Sequence, residues 1–516
     1  MIDANSLTIR NQRRTSAVLL ALGLYAAWMI GGWIATENLA SLEFSVVGVV
    51  ACAICVAILQ NWRSGFYAFL VWLLFEDLIR KFLGNNMWIF FAKDMIVGIT
   101  YISFLFMIRR KQVAVFRPPF LIWFGVFFWL AVIQVFNPNS PSIFYGLLGL
   151  KIYFYYFGLI FVGYALIRND EDLHRFLVIN MILAAVIAGL GIVQAIVGPG
   201  FLNPGTLAPE IRELGSLTRY APISGARVFR PSSVFVSDGR FASYMLLMWI
   251  FGLGASGSLF LRHSHRGQTV ILGGTGLVAV AIAFSGSRGA IIEGLASFLV
   301  LAAAFLWSAP LTSVQSRRLA RGARRACFVV AIGLVIAITL YPSEIGARWS
   351  FYSETLSPFS SASELVGRGG YYPTEGLLMA LTQPNWILGN GIGTASLGVQ
   401  YVNMYLKQPR PEIGVESGWG NLLLQLGIPG LVLWLIWTAR AVISSWKVAM
   451  DLRITNYAPV AFSIAWFVLL LLVLTSYHTL DAYENYVYNA YLWILFGVLF
   501  SLPRLAIRSE APAIRA

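Results

Sequence analysis

The chain is short of charge. Of its 516 residues only 12% are Asp, Glu, Lys or Arg, while 58% are hydrophobic. An ordinary soluble domain is about 25% charged, so a water-soluble surface is excluded. The same composition excludes disordered, collagen-like and disulfide-scaffold chains. Cysteine is scarce, at three residues. Cys52 and Cys55 share one apolar stretch and Cys327 opens another, so they read as packing residues, with no disulfide and no metal cluster. Histidine numbers four. His263 and His265 form an isolated His-x-His in an arginine-rich loop, weak evidence for a metal. No Gly-x-x-x-x-Gly-Lys-Ser/Thr occurs, which excludes a Walker loop and an ATP-driven transporter core. Gly389-Asn390-Gly391-Ile392-Gly393 resembles half of a dinucleotide loop but lacks the strand-loop-helix around it, and reads as a turn. Ser476, His478 and Asp481 are triad residue types, crowded too closely in one short loop for triad geometry.

What the chain has is long apolar runs. A membrane-crossing helix needs about 20 apolar residues. Runs occur at 17–36, 42–59, 65–83, 88–108, 118–136, 146–167, 177–197, 241–261, 269–285, 289–309, 327–341, 419–439, 458–476 and 486–502. The sequence therefore predicts an all-α polytopic integral membrane protein of about 14 transmembrane helices. The run at 65–83 is unusual in carrying Glu76, Asp77, Arg80 and Lys81 near its end. Arg10, Arg13 and Arg14 precede the first run, which has no clear small-residue cleavage site and reads as an uncleaved span. Positive residues recur on the same side of alternate spans, which predicts both termini in the cytoplasm. Four regions follow: N-terminal transmembrane helices at 1–197, a core transmembrane region with outer-face arginines at 198–341, a large extracytoplasmic loop at 342–418, and C-terminal transmembrane helices at 419–516. Within or beside the large loop, 375–381 and 419–426 read as short helices at the membrane surface. A loop this long is usually functional.

Net charge is +14, from 37 Lys+Arg against 23 Asp+Glu. The inside bias of positive charge leaves an outer remainder: Arg212, Arg219, Arg227, Arg230, Arg240, Arg288, Arg348, Arg368, Lys407 and Arg410. Arg288 stands in Ser285-Gly286-Ser287-Arg288-Gly289 between two apolar runs, where the glycines allow a tight corner. Ionisable residues at membrane depth point to function; the bland alternatives are a pair with Glu293 or snorkelling to headgroups. Arg227 and Arg230 precede the span at 241, and a helical turn would put them on one face. Lipid-phosphate binding at the rim is the bland reading there. Arginine binds phosphate in bidentate fashion and keeps its charge, so an outer cluster suits a lipid-linked diphosphate better than nucleic acid.

Four motifs stand out. They are Ser287-Arg288-Gly289; Arg227 to Ala242 with Arg230-Pro231-Ser232-Ser233 inside it; Gly367-Arg368 to Ala380 followed by Gln383 to Gly393; and Asn421 to Gly430. Together they resemble the O-antigen ligase and polymerase superfamily of bacterial surface polysaccharide synthesis, over about 190–435. The resemblance implies a metal-independent, cofactor-free membrane glycosyltransferase of the bacterial inner membrane, with its site facing the periplasm. It implies an oligosaccharide on undecaprenyl diphosphate as donor, a second such molecule as acceptor, contact with membrane lipids, and a chain-length regulator protein as partner. It implies that arginines matching Arg288 and Arg227 or Arg230 hold the diphosphate, with Arg240 and Arg368 as further candidates. Ligases of the family usually carry a histidine just before the motif matched by Asn421. Here Val415-Glu416-Ser417-Gly418-Trp419-Gly420 has none, which favours a polymerase joining repeat units over a ligase acting on lipid A core.

The chemistry needs a base for the acceptor hydroxyl and positive charge for the departing diphosphate. Glu416 is the nearest candidate base, against a plain helix-terminal carboxylate whose dipole would weaken it as one. His478 is the alternative base, against an interfacial structural histidine. Tyr372, Trp386 and Trp419 are candidates for stacking on sugars, against membrane-belt or packing duty. A transporter or flippase is the reading from another class; it predicts internal repeats with paired broken helices, and no such symmetry is visible.

Overall fold

A computed structural model describes residues 39–84, 86–113, 115–204, 218–262, 267–308, 339–361, 363, 371–396, 398–406 and 414–510. The predicted span at 17–36, nearly all of that at 327–341, and Arg368, His263, His265 and Cys327 lie outside these residues.

Helices dominate. In order they are α1 (Leu39–Gln60), α2 (Trp62–Phe82), α3 (Met87–Arg109), α4 (Leu121–Val135), α5 (Ile143–Leu166), α6 (Asp170–Val197), α7 (Asp238–Arg262), α8 (Gln268–Phe284), α9 (Arg288–Ser308), α10 (Pro342–Leu356), α11 (Tyr372–Ala380), α12 (Val399–Leu406), α13 (Gly418–Asp451), α14 (Ala458–His478) and α15 (Tyr486–Glu510). A helix stands at every predicted run within the described residues. Eight of them are long and apolar enough to cross a membrane: α3, α5, α6, α7, α9, α13, α14 and α15. The chain is thus a mostly helical protein with several membrane-spanning candidates. The expected count of 14 includes the run at 17–36 and nearly all of that at 327–341, which lie outside the described residues. Among the described helices, α4 and α8 are 15 and 17 residues long, and α2 carries five charged residues.

Local chemistry sets the ends. Ser142, Asn169 and Ser417 cap α5, α6 and α13 by accepting from the amides of Phe144, Asp172 and Gly420, as N-cap residues do. Pro342, Pro373 and Pro459 sit in first turns, where the missing N–H costs nothing.

The chain divides into two compact units. One is Met1–Ala68 with Asp94–Phe106; the other is Phe69–Lys93 with Met107–Ala516. In the first, the Trp62 ring meets Phe104 edge-on at 5.2 Å, and Ser103 Oγ donates to the Leu59 carbonyl. Cys52 is exposed and Cys55 half-buried, both free, so Cys52 lacks the buried environment of a packing residue.

The second unit holds the main core. Trp434, Trp437, Trp493, Tyr153, Phe124 and Phe127 are buried together, with ring centroids of Trp434 and Trp437 at 5.1 Å. Helix α15 lies tight on α5 because both present glycine: a Cβ on Gly497 would come within 2.9 Å of the Gly163 carbonyl carbon. Helix α13 breaks at Gly427, whose φ is +70°. The expected surface helix at 419–426 is the part before that break.

The 198–240 region holds the one departure from an all-helical reading among the described residues. Strands β1 (Thr218–Tyr220) and β2 (Arg227–Phe229) pair antiparallel, Arg219 opposite Val228 and Tyr220 opposite Arg227. Arg227 is therefore on a strand rather than a helical turn. It is exposed while Val228 and Phe229 are buried.

Gly497→Ala should lower the thermal midpoint of the detergent-solubilised protein, since overpacking costs about 1–3 kcal/mol. Gly125→Ala, where a Cβ meets nothing within 4 Å, should leave it unchanged or slightly raised.

Candidate functional site

The α8–α9 turn is built for close approach. Gly286 adopts φ +68°, and the Arg230 stem lies across it: a Cβ there would be 2.7 Å from Arg230 Cγ. Ser287 accepts from the Ala290 amide at 3.4 Å, capping α9, so Arg288 opens that helix. The expected corner is present. The Arg288 guanidinium stands over the Phe351 ring at 5.4 Å.

Four arginines from separate segments gather there. Arg230 Nε pairs with Asp238 at 2.8 Å. Arg348 is buried, pairs with Glu344 at 2.7 Å, and donates to the Phe229 carbonyl at 3.1 Å. Burial holds the Arg230 guanidinium below its ordinary pKa; Asp238 opposes that, while Arg219 and Arg288 push the same way. Tyr352 donates to the Ala283 carbonyl at 3.0 Å. Burial pushes its hydroxyl up to about 12, against the pull of Arg348 and Arg230. Glu354 accepts from the amides of Ile223 and Ser224 at 2.7 and 3.1 Å, tying the hairpin to α10. Of the sequence candidates, Arg230 and Arg288 come together here. Arg219 and Arg348 join them, and Arg227 sits on the exposed side of β2.

Beneath this corner lies a buried charge network that the motifs did not reveal. Asp77, 1% exposed, accepts from Arg240 Nη1 at 2.9 Å and from the Val236 amide at 3.3 Å. It also faces Arg80 at 3.2 Å. Glu76 takes Lys93 at 2.9 Å and Arg80 at 3.4 Å. Lys81 donates to Ser232 Oγ at 3.0 Å and to the Ser233 carbonyl at 2.8 Å. Ser233 adopts φ +52°, costly for a non-glycine residue. Its amide donates to Gln194 Oε1 at 2.6 Å and its hydroxyl to the Ile187 carbonyl at 2.8 Å. Residues 231–240 are thus clamped to α2 and α6, which fixes Arg230 and Asp238. Arg240 belongs to this clamp, its guanidinium also donating to Tyr486 Oη at 3.1 Å. The signal in sequence was the charge-bearing run at 65–83, since charges at membrane depth are expensive and rarely idle.

A second group forms around the start of α13. A Cβ on Gly376 would lie 2.9 Å from the Glu416 carbonyl carbon, so α11 rests on the Glu416–Ser417 backbone. Glu416 itself is exposed. The Trp419 ring meets Tyr477 edge-on at 5.0 Å, its buried Nε1 has no hydrogen-bond partner among the described residues, and Tyr477 Oη contacts Thr374 Oγ1 at 2.6 Å. His478, half-buried, follows Tyr477 with ring centroids 5.4 Å apart. A Cβ on Gly418 would lie 2.8 Å from the Leu480 amide, so the chains carrying Glu416 and His478 run side by side. Tyr372 is exposed on α11. Trp386 is half-buried and packs against the buried Ala380–Leu423–Leu424 cluster.

Gly389, Gly391 and Gly393, all at positive φ, wrap the break in α13. The Asn390 amide donates to the Leu424 carbonyl, that of Gly391 to Gln425, and that of Ile428 to Ile387. The glycine run serves the helix break, with no nucleotide loop around it.

Arg240 at the start of α7 reaches Tyr486 at the start of α15, and Gly418 abuts the Ser476 carbonyl at the end of α14, so the arginine corner, Glu416 and His478 stand at one end of this unit. Tyr486 of the clamp follows His478 through the single turn Asp481–Glu484. Comparison with protein-family models, curated proteins and solved structures returns no match for this chain.

Asp77→Ala should destabilise the protein by about 3–5 kcal/mol in thermal unfolding, because it strips a buried carboxylate from two guanidiniums. Glu354→Gln, at the accessible hairpin tie, should leave the thermal midpoint close to the parent's.

Proposed function

We propose that the chain is a polysaccharide polymerase: a membrane glycosyltransferase that joins oligosaccharide repeat units carried on undecaprenyl diphosphate. The observation that carries this reading is the gathering of Arg219, Arg230, Arg288 and Arg348 at the α8–α9 corner, at the same end as Glu416 and His478. Permanent cations set in partly apolar surroundings suit a diphosphate, since charge interactions strengthen as water is excluded. The resemblance of the four motifs to the O-antigen ligase and polymerase superfamily supports the same class. The proposed setting is the bacterial inner membrane, with both termini cytoplasmic and the arginine corner toward the periplasm. A chain-length regulator is the proposed protein partner.

In the reaction, an acceptor sugar hydroxyl attacks the anomeric carbon of the donor. The bond from that carbon to the diphosphate oxygen breaks, and its electron pair leaves on the diphosphate. Arg230 and Arg288 take up the charge developing there, as oriented donors do at leaving groups. The hydroxyl proton passes to Glu416, with His478 as the alternative acceptor on the neighbouring strand of chain. Diphosphate departs without protonation, so one base suffices. Tyr372 and Trp419 offer aromatic surface to the sugars.

Purified protein given lipid-linked repeat units, without ATP or added metal, should yield a ladder of products. Arg288→Ala should lower the rate about 10²–10³-fold, the usual cost of one charge-stabilising donor. Glu416→Gln should lower it about 10²–10⁴-fold. A full-rate ladder from Arg288→Ala would sink the diphosphate site. Transfer only to a lipid A core acceptor would make the protein a ligase, and absence of any transfer would favour transport. Loss of activity in His478→Ala with Glu416→Gln active would move the base to His478.

A further inference from the structure

We propose that the end of the bundle opposite the arginine corner holds the headgroup of an amine-bearing phospholipid, of the phosphatidylethanolamine kind. A cavity of about 270 Å³ opens between the first turns of α6 and the last turns of α7, lined in part by Asp170, Glu171, His174, Leu259 and Arg262. Two of the lining residues, Asp170 and Arg262, are held in a trio with Tyr457. Tyr457 Oη donates to Asp170 Oδ1 at 2.5 Å, and Arg262 Nη1 stands 3.5 Å from the same oxygen. The Arg262 guanidinium lies over the Tyr457 ring at 4.5 Å.

This trio leaves Arg262 incomplete. Its Nε and Nη2 are buried and make no hydrogen bond among the described residues. Enclosed charged donors without acceptors are costly, so an acceptor with several oxygens fits there. A bare anion fits poorly, because Asp170 and Glu171 line the same cavity. A bare cation fits poorly against Arg262. A headgroup with phosphate and ammonium one short linker apart meets both: phosphate on Arg262, ammonium on the exposed carboxylate of Glu171. Asp170 is already engaged by Tyr457. Leu177, Ala255 and Leu259 give the lining its apolar side, with Ser258 between them, and suit the glycerol and upper acyl chain. The cavity sits where α6 begins and α7 ends, both membrane-spanning candidates, which is the depth of the headgroup layer. Its volume is below the roughly 300–1,000 Å³ of drug-sized sites and suits a small headgroup.

Native mass spectrometry of the full-length protein in detergent, with phosphatidylethanolamine, phosphatidylglycerol and phosphatidylcholine of matched chains, tests this. The expected result is retention of phosphatidylethanolamine about tenfold above the other two, as one charged contact would give. Glu171→Gln, at an exposed position that leaves the fold intact, should erase that preference while leaving phosphatidylglycerol retention unchanged. Arg262→Gln should lower retention of all three. Equal retention of the three lipids by the parent protein, or an unchanged preference in Glu171→Gln, would overturn the proposal. Adding O-phosphoethanolamine distinguishes a lipid from a soluble ligand: failure to displace the lipid supports the headgroup assignment, and ready displacement would assign the cavity to a soluble phosphate ester instead.

Discussion

A carboxylate taken out of water must be repaid on the spot, and Asp77 is the one on which the arginine corner depends. It is almost wholly buried and surrounded by Arg80, Arg240 and the Val236 amide. Isolated, such a charge would be driven to neutralise or unfold its surroundings. Paired, it becomes an anchor. Its neighbour Lys81 binds the Ser232–Ser233 turn, so the end of α2 fixes the whole of residues 231–240. The strained backbone of Ser233 is the visible consequence: the fold holds a non-glycine residue at positive φ because Lys81, Gln194 and the Ile187 carbonyl over-determine it. The Arg230–Asp238 pair is delivered by that clamp.

Glycine does the complementary work at the corner itself and at the start of α13. At Gly286 it makes room for the Arg230 stem, and at Gly427 it breaks α13 so that the first part of that helix carries Trp419 beside Tyr477. The broken helix leaves carbonyls of Leu424 and Gln425 without partners within α13, and the Gly389–Gly393 stretch supplies them through its amides. One set of glycines thus shapes the arginine corner and another positions the chain that carries Glu416.

The spans were legible because apolar runs of membrane length have few other uses. Helices stand at those runs wherever the structure describes them. The α8–α9 corner was legible for a related reason: Gly286 and Arg288 between two apolar runs break a strong local pattern. The β1–β2 hairpin was not, since each strand is three residues long and such runs carry no usable period. The clamp was half legible. Glu76, Asp77, Arg80 and Lys81 stood out as charges in an apolar run, but their partners Ser232, Val236, Arg240 and Tyr486 lie 150 or more residues away in the chain. No short-range pattern encodes such pairing. Trp386 marks the converse limit, because an aromatic near a candidate site looks the same in sequence whether it faces a ligand or packs on Leu423 and Leu424.

The central claim is that the clamped arginines form a site for a lipid-linked diphosphate. Equilibrium binding of undecaprenyl diphosphate and undecaprenyl monophosphate to the purified protein tests it most directly, because the two differ only in the second phosphate. The account predicts tighter binding of the diphosphate by about tenfold or more, the worth of one added charge-assisted contact, with the difference abolished in Arg230→Ala. Equal affinity for the two lipids would contradict it.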